Sequence, residues 1–231
     1  MQLFYDGTEK ALQLILSGDE DVLAAAWRSL WISTLAVSFA AINGIPFGIF
    51  IARRKFFGNR LLTHACRTGM ALPTVFVGLI CFSLFARKGP MGSLELLYTP
   101  WAILAGEFLL AFPIIAALTQ GSVLALDPKL GETVKTLGAS PFRRFLTYTS
   151  EAHIGIKLAI LTAFSRCVTE LGIALMVGGN LKGETRTLST ATALETSKGE
   201  LGTAMAMGII LLILALSVTV LTNFLSREEP K

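Results

Sequence analysis

Histidine and cysteine are scarce in this chain of 231 residues, two of the former and three of the latter. His64 and His153 lie too far apart for metal-ligand spacing, and both read as residues of a membrane interface. Cys66, Cys81 and Cys167 are odd in number and two sit inside apolar runs. A disulfide framework is therefore not expected, and the thiols read as small apolar packing groups. No Gly-x-x-x-x-Gly-Lys-Ser/Thr run occurs, so the chain has no phosphate loop of its own. A basic leader is missing as well. Asp6 and Glu9 stand where it would be, and Leu12 to Leu16 is too short for a secretory core. Residues 8–17 read instead as a short interfacial helix. The apolar runs hold no nucleophile–base pair and no cluster of metal ligands, which argues against an intramembrane enzyme. No cofactor or metal is expected.

What the chain has in excess is hydrophobicity. Hydrophobic residues make up 53% of it, and mean hydropathy is +0.64. Several runs reach the ~20 residues needed to cross a bilayer. The fold expected is all-α and integral to the membrane, one domain over residues 1–231. Its five spans fall at about 27–52, 65–86, 101–126, 156–177 and 201–225. Trp27 and Trp31 suit the outer interface of the first span. Pro46, Pro73 and Pro113 lie inside the first three spans, where they kink helices.

Basic residues set the orientation. With the N-terminus outside, the inner side carries Arg53, Arg54, Lys55, Arg60 and Arg67, then Lys129, Lys135, Arg143, Arg144 and Lys157, then Arg227 and Lys231. The outer side carries Lys10, Arg28, Arg87, Lys88, Lys182, Arg186 and Lys198, outnumbered there by Asp and Glu. The bias gives N outside and C inside. It also accounts for the basic pI near 9.1 without a nucleic-acid site.

The most organised polar stretch is the loop 127–155. Asp127 can cap a helix that starts at Pro128, where no amide hydrogen is needed. Leu130, Val134 and Leu137 recur on one helical face. Gly138 stops the helix, since glycine takes the left-handed conformation without steric cost. Ser140 and Pro141 restart the chain, with Phe142, Phe145, Leu146 and Thr149 as an expected inner stripe and Arg143 and Arg144 opposite. Two short helices around a glycine hinge make a lever for docking a partner. An ordinary interfacial loop is the alternative reading.

Glu107, Arg166 and Glu170 are the ionisable groups deep in the spans, each costly there by roughly 2.5–3.5 kcal/mol on insertion scales. Arg166 and Glu170 are four residues apart and are expected to share one helix face. The three form either a self-neutralising network or a pathway in which Arg166 offers positive potential to an anion. Beyond them, Thr187, Ser189, Thr190 and Thr192 make an outer segment rich in hydroxyls, helical from about Leu188. Hydroxyl donors suit a tetrahedral oxyanion, and a solvated outer loop is the alternative.

Two sets of residues carry a resemblance. Glu132-Thr133-Val134-x-x-x-Gly138 resembles the Glu-Ala-Ala-x-x-x-Gly loop of ABC-importer permeases, with Thr133 and Val134 in place of the two alanines. Tyr148-Thr149-Ser150-Glu151 stands where that family often has Ile-x-Leu-Pro. The stretch from Glu170-Leu171-Gly172 to Gly178-Gly179-Asn180, followed by Thr185-Arg186-Thr187-Leu188-Ser189-Thr190 and Leu194-Glu195-Thr196, is similar to permeases of the molybdate/tungstate/sulfate group, tungstate above all. Leu72-Pro73-Thr74-Val75 and Arg87-Lys88-Gly89-Pro90 are similar to the wider group.

The resemblance implies a type I ABC-importer permease bundle in a bacterial or archaeal plasma membrane, working by alternating access as a transport subunit. It implies a cytoplasmic ABC ATPase dimer docked at Glu132, Thr133, Leu137, Gly138 and Ala139. It implies an extracytoplasmic substrate-binding protein and a second copy of the chain, alongside membrane lipid and with no nucleic acid. Molybdate or sulfate is the alternative cargo. A passive anion channel or secondary carrier is the alternative class, for which the expected inverted halves are not found.

Overall fold

The structure, a computed structural model, describes residues 2–54 and 56–225, so Lys55, Arg227 and Lys231 of the basic count lie outside the described residues. Eleven α-helices and one 3-10 turn, Gly92–Leu94, occur among the described residues, and no strand does. The α-helices are α1 (Gln2–Leu16), α2 (Glu20–Arg53), α3 (Asn59–Gly69), α4 (Thr74–Phe85), α5 (Pro100–Leu124), α6 (Pro128–Thr136), α7 (Pro141–Glu151), α8 (His153–Val168), α9 (Gly172–Gly178), α10 (Leu188–Ser197) and α11 (Leu201–Leu225).

Helices α2, α5 and α11 are each long and apolar enough to cross a membrane. The pairs α3–α4 and α8–α9 qualify if each sharply bent pair is one span, which brings the number to five. The expected second and fourth spans are thus broken helices. Pro73 explains the first break: it lacks an amide hydrogen and disfavours helix at the residue before it. The second break falls at Thr169–Leu171. Helix α2, which holds the expected first span, starts earlier than that span and runs 34 residues from Glu20. Asp19 caps it by accepting a hydrogen bond from Val22 N at 3.0 Å. Acidic Glu20 and Asp21 in the first turn and Arg53 in the last complement the helix dipole.

The chain divides into two compact units. The first gathers Met1–Ala36, Pro73–Glu107 and Ser165–Lys231. In it Val22, Ala25, Ser29, Ile32 and Ala36 form one buried face of α2, at the spacing a helix packed on one side requires. Helix α1 begins earlier than expected and packs along α11. Lys10 Nζ donates to Thr203 Oγ1 at 2.6 Å, and a Cβ on Gly7 would overlap Met205. Ala11, Ala206 and Ile210 close a core with Val22, Ala25 and Leu188. Helix α4 lies against α9 so closely that a Cβ on Gly78 would sit 3.0 Å from that of Met176. The rings of Trp31 and Trp101 meet edge-on at 6.0 Å.

The second unit gathers Val37–Leu72 and Phe108–Phe164. Its backbones also come close. A Cβ on Gly48 would lie 2.7 Å from the carbonyl oxygen of Ala116, so only glycine lets α2 approach α5 there. One core joins Ile49, Val123, Tyr148, Ala152 and Ile156, and another Ile51, Cys66, Ala116 and Ala117. All three cysteines are buried and free.

Candidate functional site

Two places concentrate polar chemistry, one in each unit. The first is the break between α8 and α9. Glu170 sits in the break rather than on a continuous helix, yet its Oε2 still accepts from Arg166 at 2.8 Å. Its Oε1 accepts from the amide of Ile173 at 3.1 Å, so the carboxylate caps the start of α9. The Glu170 side chain is 1% exposed and that of Arg166 41%. A buried carboxylate is thereby held by a cation whose far side is open. Its backbone is held too, because Ser189 Oγ donates to the Glu170 carbonyl at 2.7 Å.

Glu107 does not join that pair in a three-membered network. It is buried and makes no ion pair among the described residues. Its Oε2 makes no hydrogen bond of standard geometry among the described residues, and the Ser33 hydroxyl is the polar group that faces its carboxylate. Its backbone carbonyl accepts from Cys167 Sγ at 3.7 Å.

The hydroxyl segment is not a solvated loop. Thr187, Ser189 and Thr190 are buried, and their hydroxyls are committed within the chain. Thr187 Oγ1 accepts from Thr190 N at 3.3 Å while Thr190 Oγ1 accepts from Thr187 N at 2.9 Å, a reciprocal capping box that starts α10. Thr192 Oγ1 donates to the Leu188 carbonyl at 2.8 Å. The segment is tied to α2 as well, since Leu188 N donates to Ser29 Oγ at 3.0 Å and Arg28 Nε to the Arg186 carbonyl at 2.8 Å.

The second place is the pair α6–α7. Asp127 caps α6, accepting from Lys129 N at 2.8 Å, and Ser140 caps α7, accepting from Arg143 N at 3.3 Å. Between them Gly138 has φ +69°, the left-handed value read for the hinge. The faces differ from expectation. Val134 of α6 is buried, but Leu137, just past the helix end, is 79% exposed. In α7 the packed side chains are Phe145 and Tyr148, continuing to Ala152, whereas Phe142 is 68% and Leu146 48% exposed. The packed face is set by i, i+3 and i+7 from Phe145. The remaining apolar residues face outward. Glu132 and Thr133 are exposed and Ala139 is half-buried.

One cation read only as a flank charge proves central here. Arg53 Nη2 donates to the Val123 carbonyl at 3.1 Å, and its guanidinium lies 4.3 Å from the Tyr148 ring centroid. It thereby ties the end of α2 to α5 and α7. A Cβ on Gly131 would approach the Tyr148 hydroxyl at 3.2 Å, which favours the smallest residue in α6 at this point. The one signal for this in the sequence is an arginine at the last turn of a long helix. Its aromatic partner 95 positions on has no pattern to announce it. Among the described residues no group of His, Cys, Asp and Glu is placed to hold a metal ion.

The family described as binding-protein-dependent transport system inner membrane component matches residues 44–228. The tungstate uptake system permease protein TupB of Campylobacter jejuni is 34% identical over 98% of this chain and 95% of its own. The molybdenum transport system permease protein ModB of Escherichia coli K12 is 32% identical over 87% of this chain and 93% of its own. A bacterial alginate ABC transporter, solved in complex with an alginate-bound periplasmic protein, shares the fold. Its TM-score is 0.75 over 93% of this chain and 81% of that one, at 16% identity.

Proposed function

The chain belongs to the family of binding-protein-dependent transport system inner membrane components, and on that footing we propose that it is the permease subunit of an ATP-driven oxyanion importer, with tungstate as cargo. The observation that carries this reading is the near-full-length similarity to a tungstate uptake permease. The subunit is a transport element, and a separate ATPase hydrolyses the nucleotide. An extracytoplasmic binding protein delivers the anion, and two copies of the chain flank the pathway. Five spans, with N outside and C inside, put α6 and α7 on the cytoplasmic side.

The energetics require a driven mechanism. Moving a dianion inward against an inside-negative potential costs about 4.6 kcal/mol per 100 mV, twice the figure for one charge. That energy enters through α6 and α7. Glu132, Thr133, Leu137, Gly138 and Ala139 meet the ATPase, and the exposed Leu137, Phe142 and Leu146 supply the apolar part of that contact. A lever with capped ends and a left-handed hinge transmits the motion as a unit.

Within the membrane Arg166 supplies the positive potential an anion needs, with Glu170 fixing its position. Thr187, Ser189, Thr190 and Thr192 hold the broken span in shape, because their hydroxyls are spent on the chain itself.

The test is ATPase activity of the complex of this chain with its ATPase and binding protein in lipid, titrated with tungstate, molybdate and sulfate. Stimulation by tungstate at far lower concentration than by the others is the expected outcome. Equal stimulation by molybdate, the oxyanion of the element in the E. coli relative's name, would retract the cargo and keep the permease. Failure of any ATPase to associate would retract the importer.

A further inference from the structure

A cleft of about 480 Å³ opens between the end of α2 and the helices α6 and α7. Arg53, Arg54, Lys135 and Arg144 line it, against the single carboxylate of Glu132. None of these five forms a salt bridge among the described residues. Arg53 Nε is buried without a hydrogen-bond partner among the described residues. A guanidinium with one buried and unused donor, beside three further cations, is an arrangement that an anion with several oxygens completes.

The other wall is apolar, formed by Pro46, Ile49, Phe50 and Phe145. From this wall an exposed stripe runs back along α2 through Phe50, Pro46 and Ile42, spaced at i, i+4 and i+8. A small hydrated anion has no use for such a stripe. An amphiphile with a negative head does.

We propose that this cleft binds the phosphodiester headgroup of an anionic phospholipid, with acyl chains laid along Ile42, Pro46 and Phe50. Charge complementarity selects the occupant: four cations against one carboxylate favour a phosphatidylglycerol-type head over a zwitterionic one. Because the same cleft is walled by Lys135 and Arg144 of α6 and α7, the bound lipid stiffens the lever at its root. The inference rests on α2 crossing the membrane and on neither the cargo nor the docking partner.

The test is native mass spectrometry of the full chain in detergent, titrated with phosphatidylglycerol and, at equal concentration, phosphatidylcholine. The expected result is that phosphatidylglycerol adducts form preferentially. Arg53→Gln and Arg144→Gln should each weaken them about fivefold, since one cation near an anionic lipid is worth ~1 kcal/mol. Arg60→Gln removes an exposed cation that does not line the cleft and should leave them unchanged. Arg144 makes no packing contact comparable to the Arg53–Tyr148 stack, so its variant keeps the test valid if Arg53→Gln misfolds. Equal adducts with both lipids would overturn the proposal, as would equal loss in Arg60→Gln or no loss in Arg144→Gln. Displacement of the lipid by millimolar inorganic phosphate or tungstate would reassign the cleft to a small anion. The assay contains no ATPase and needs no transport, so its failure is separate from failure of the importer reading.

Discussion

Ser189 donates its hydroxyl to the backbone carbonyl of Glu170 at 2.7 Å, fastening the break between α8 and α9 to the first turn of α10. Both residues are buried. A carbonyl in a helix break has no intrahelical partner, so this one hydroxyl satisfies a group that is otherwise stranded. Ser189→Ala should therefore destabilise the chain by about 1–3 kcal/mol, the cost of an orphaned buried acceptor. Thermal unfolding in detergent measures it. If Ser189 instead served an anion directly, the variant would keep its unfolding midpoint and lose only affinity.

Arg166 and Glu170 allow a sharper separation of packing from transport. Removing one partner of a fully buried pair costs about 3–5 kcal/mol. The Arg166 side chain is 41% exposed, however, and Glu170 keeps its bond from Ile173 N, so solvent screening reduces the figure. Arg166→Gln should cost about 1–2 kcal/mol, scaled down accordingly, and leave a foldable protein. Assembly measured by size exclusion should survive while uptake falls steeply. Normal uptake in a normally assembled variant would remove Arg166 from the pathway.

How far the sequence reached depends on the range of the interaction. Caps and hinges were legible because their causes are local. Asp127, Ser140 and the left-handed Gly138 each depend on a few neighbouring residues. The start of α10 at Leu188 was likewise legible. The break at Met70–Pro73 falls at a proline that marks a kink in the sequence, whereas the break at Thr169–Leu171 has no proline to announce it. At the second, the deciding group is a Glu170 side chain that turns back to cap the next helix. The fate of the hydroxyls was hidden for the same reason. Thr187, Ser189 and Thr190 look solvated in one dimension. Folding brings Leu188 N onto Ser29, 159 positions away. The stripe of α7 was misjudged at Phe142 and Leu146 because an apolar residue that faces outward has the same pattern as one that faces inward.

Gly138 offers a test of the hinge with little steric ambiguity. A Cβ there meets nothing within 4 Å, so any penalty comes from φ +69° itself. A β-branched residue in that region is costlier than the ~1–2 kcal/mol typical of L-residues, whereas asparagine is tolerated. Gly138→Val should leave the membrane helices folded but redirect α7, so that ATP hydrolysis no longer responds to cargo. Gly138→Asn should retain most coupling. Comparing cargo-stimulated hydrolysis of the two variants checks this, and equal stimulation in both would mean the hinge geometry is not transmitted.

Leu137 and Phe142 test what the lever touches. They are 79% and 68% exposed, so neither contributes much to the core of its own unit, and polar replacement removes little buried apolar area. Surface substitutions of this kind usually change stability by less than about 0.5 kcal/mol. An apolar side chain buried in a partner's groove is worth ~1.5–3 kcal/mol. Leu137→Ser with Phe142→Ser should therefore leave the unfolding midpoint nearly unchanged while lowering ATPase co-purification at least tenfold, since each 1.4 kcal/mol is about a factor of ten. The dissociation pattern separates the two explanations of an exposed apolar pair. If these residues face lipid at the interface, the ATPase stays bound and the variant is instead shed from liposomes more readily. If they face the ATPase, the permease stays in the membrane alone.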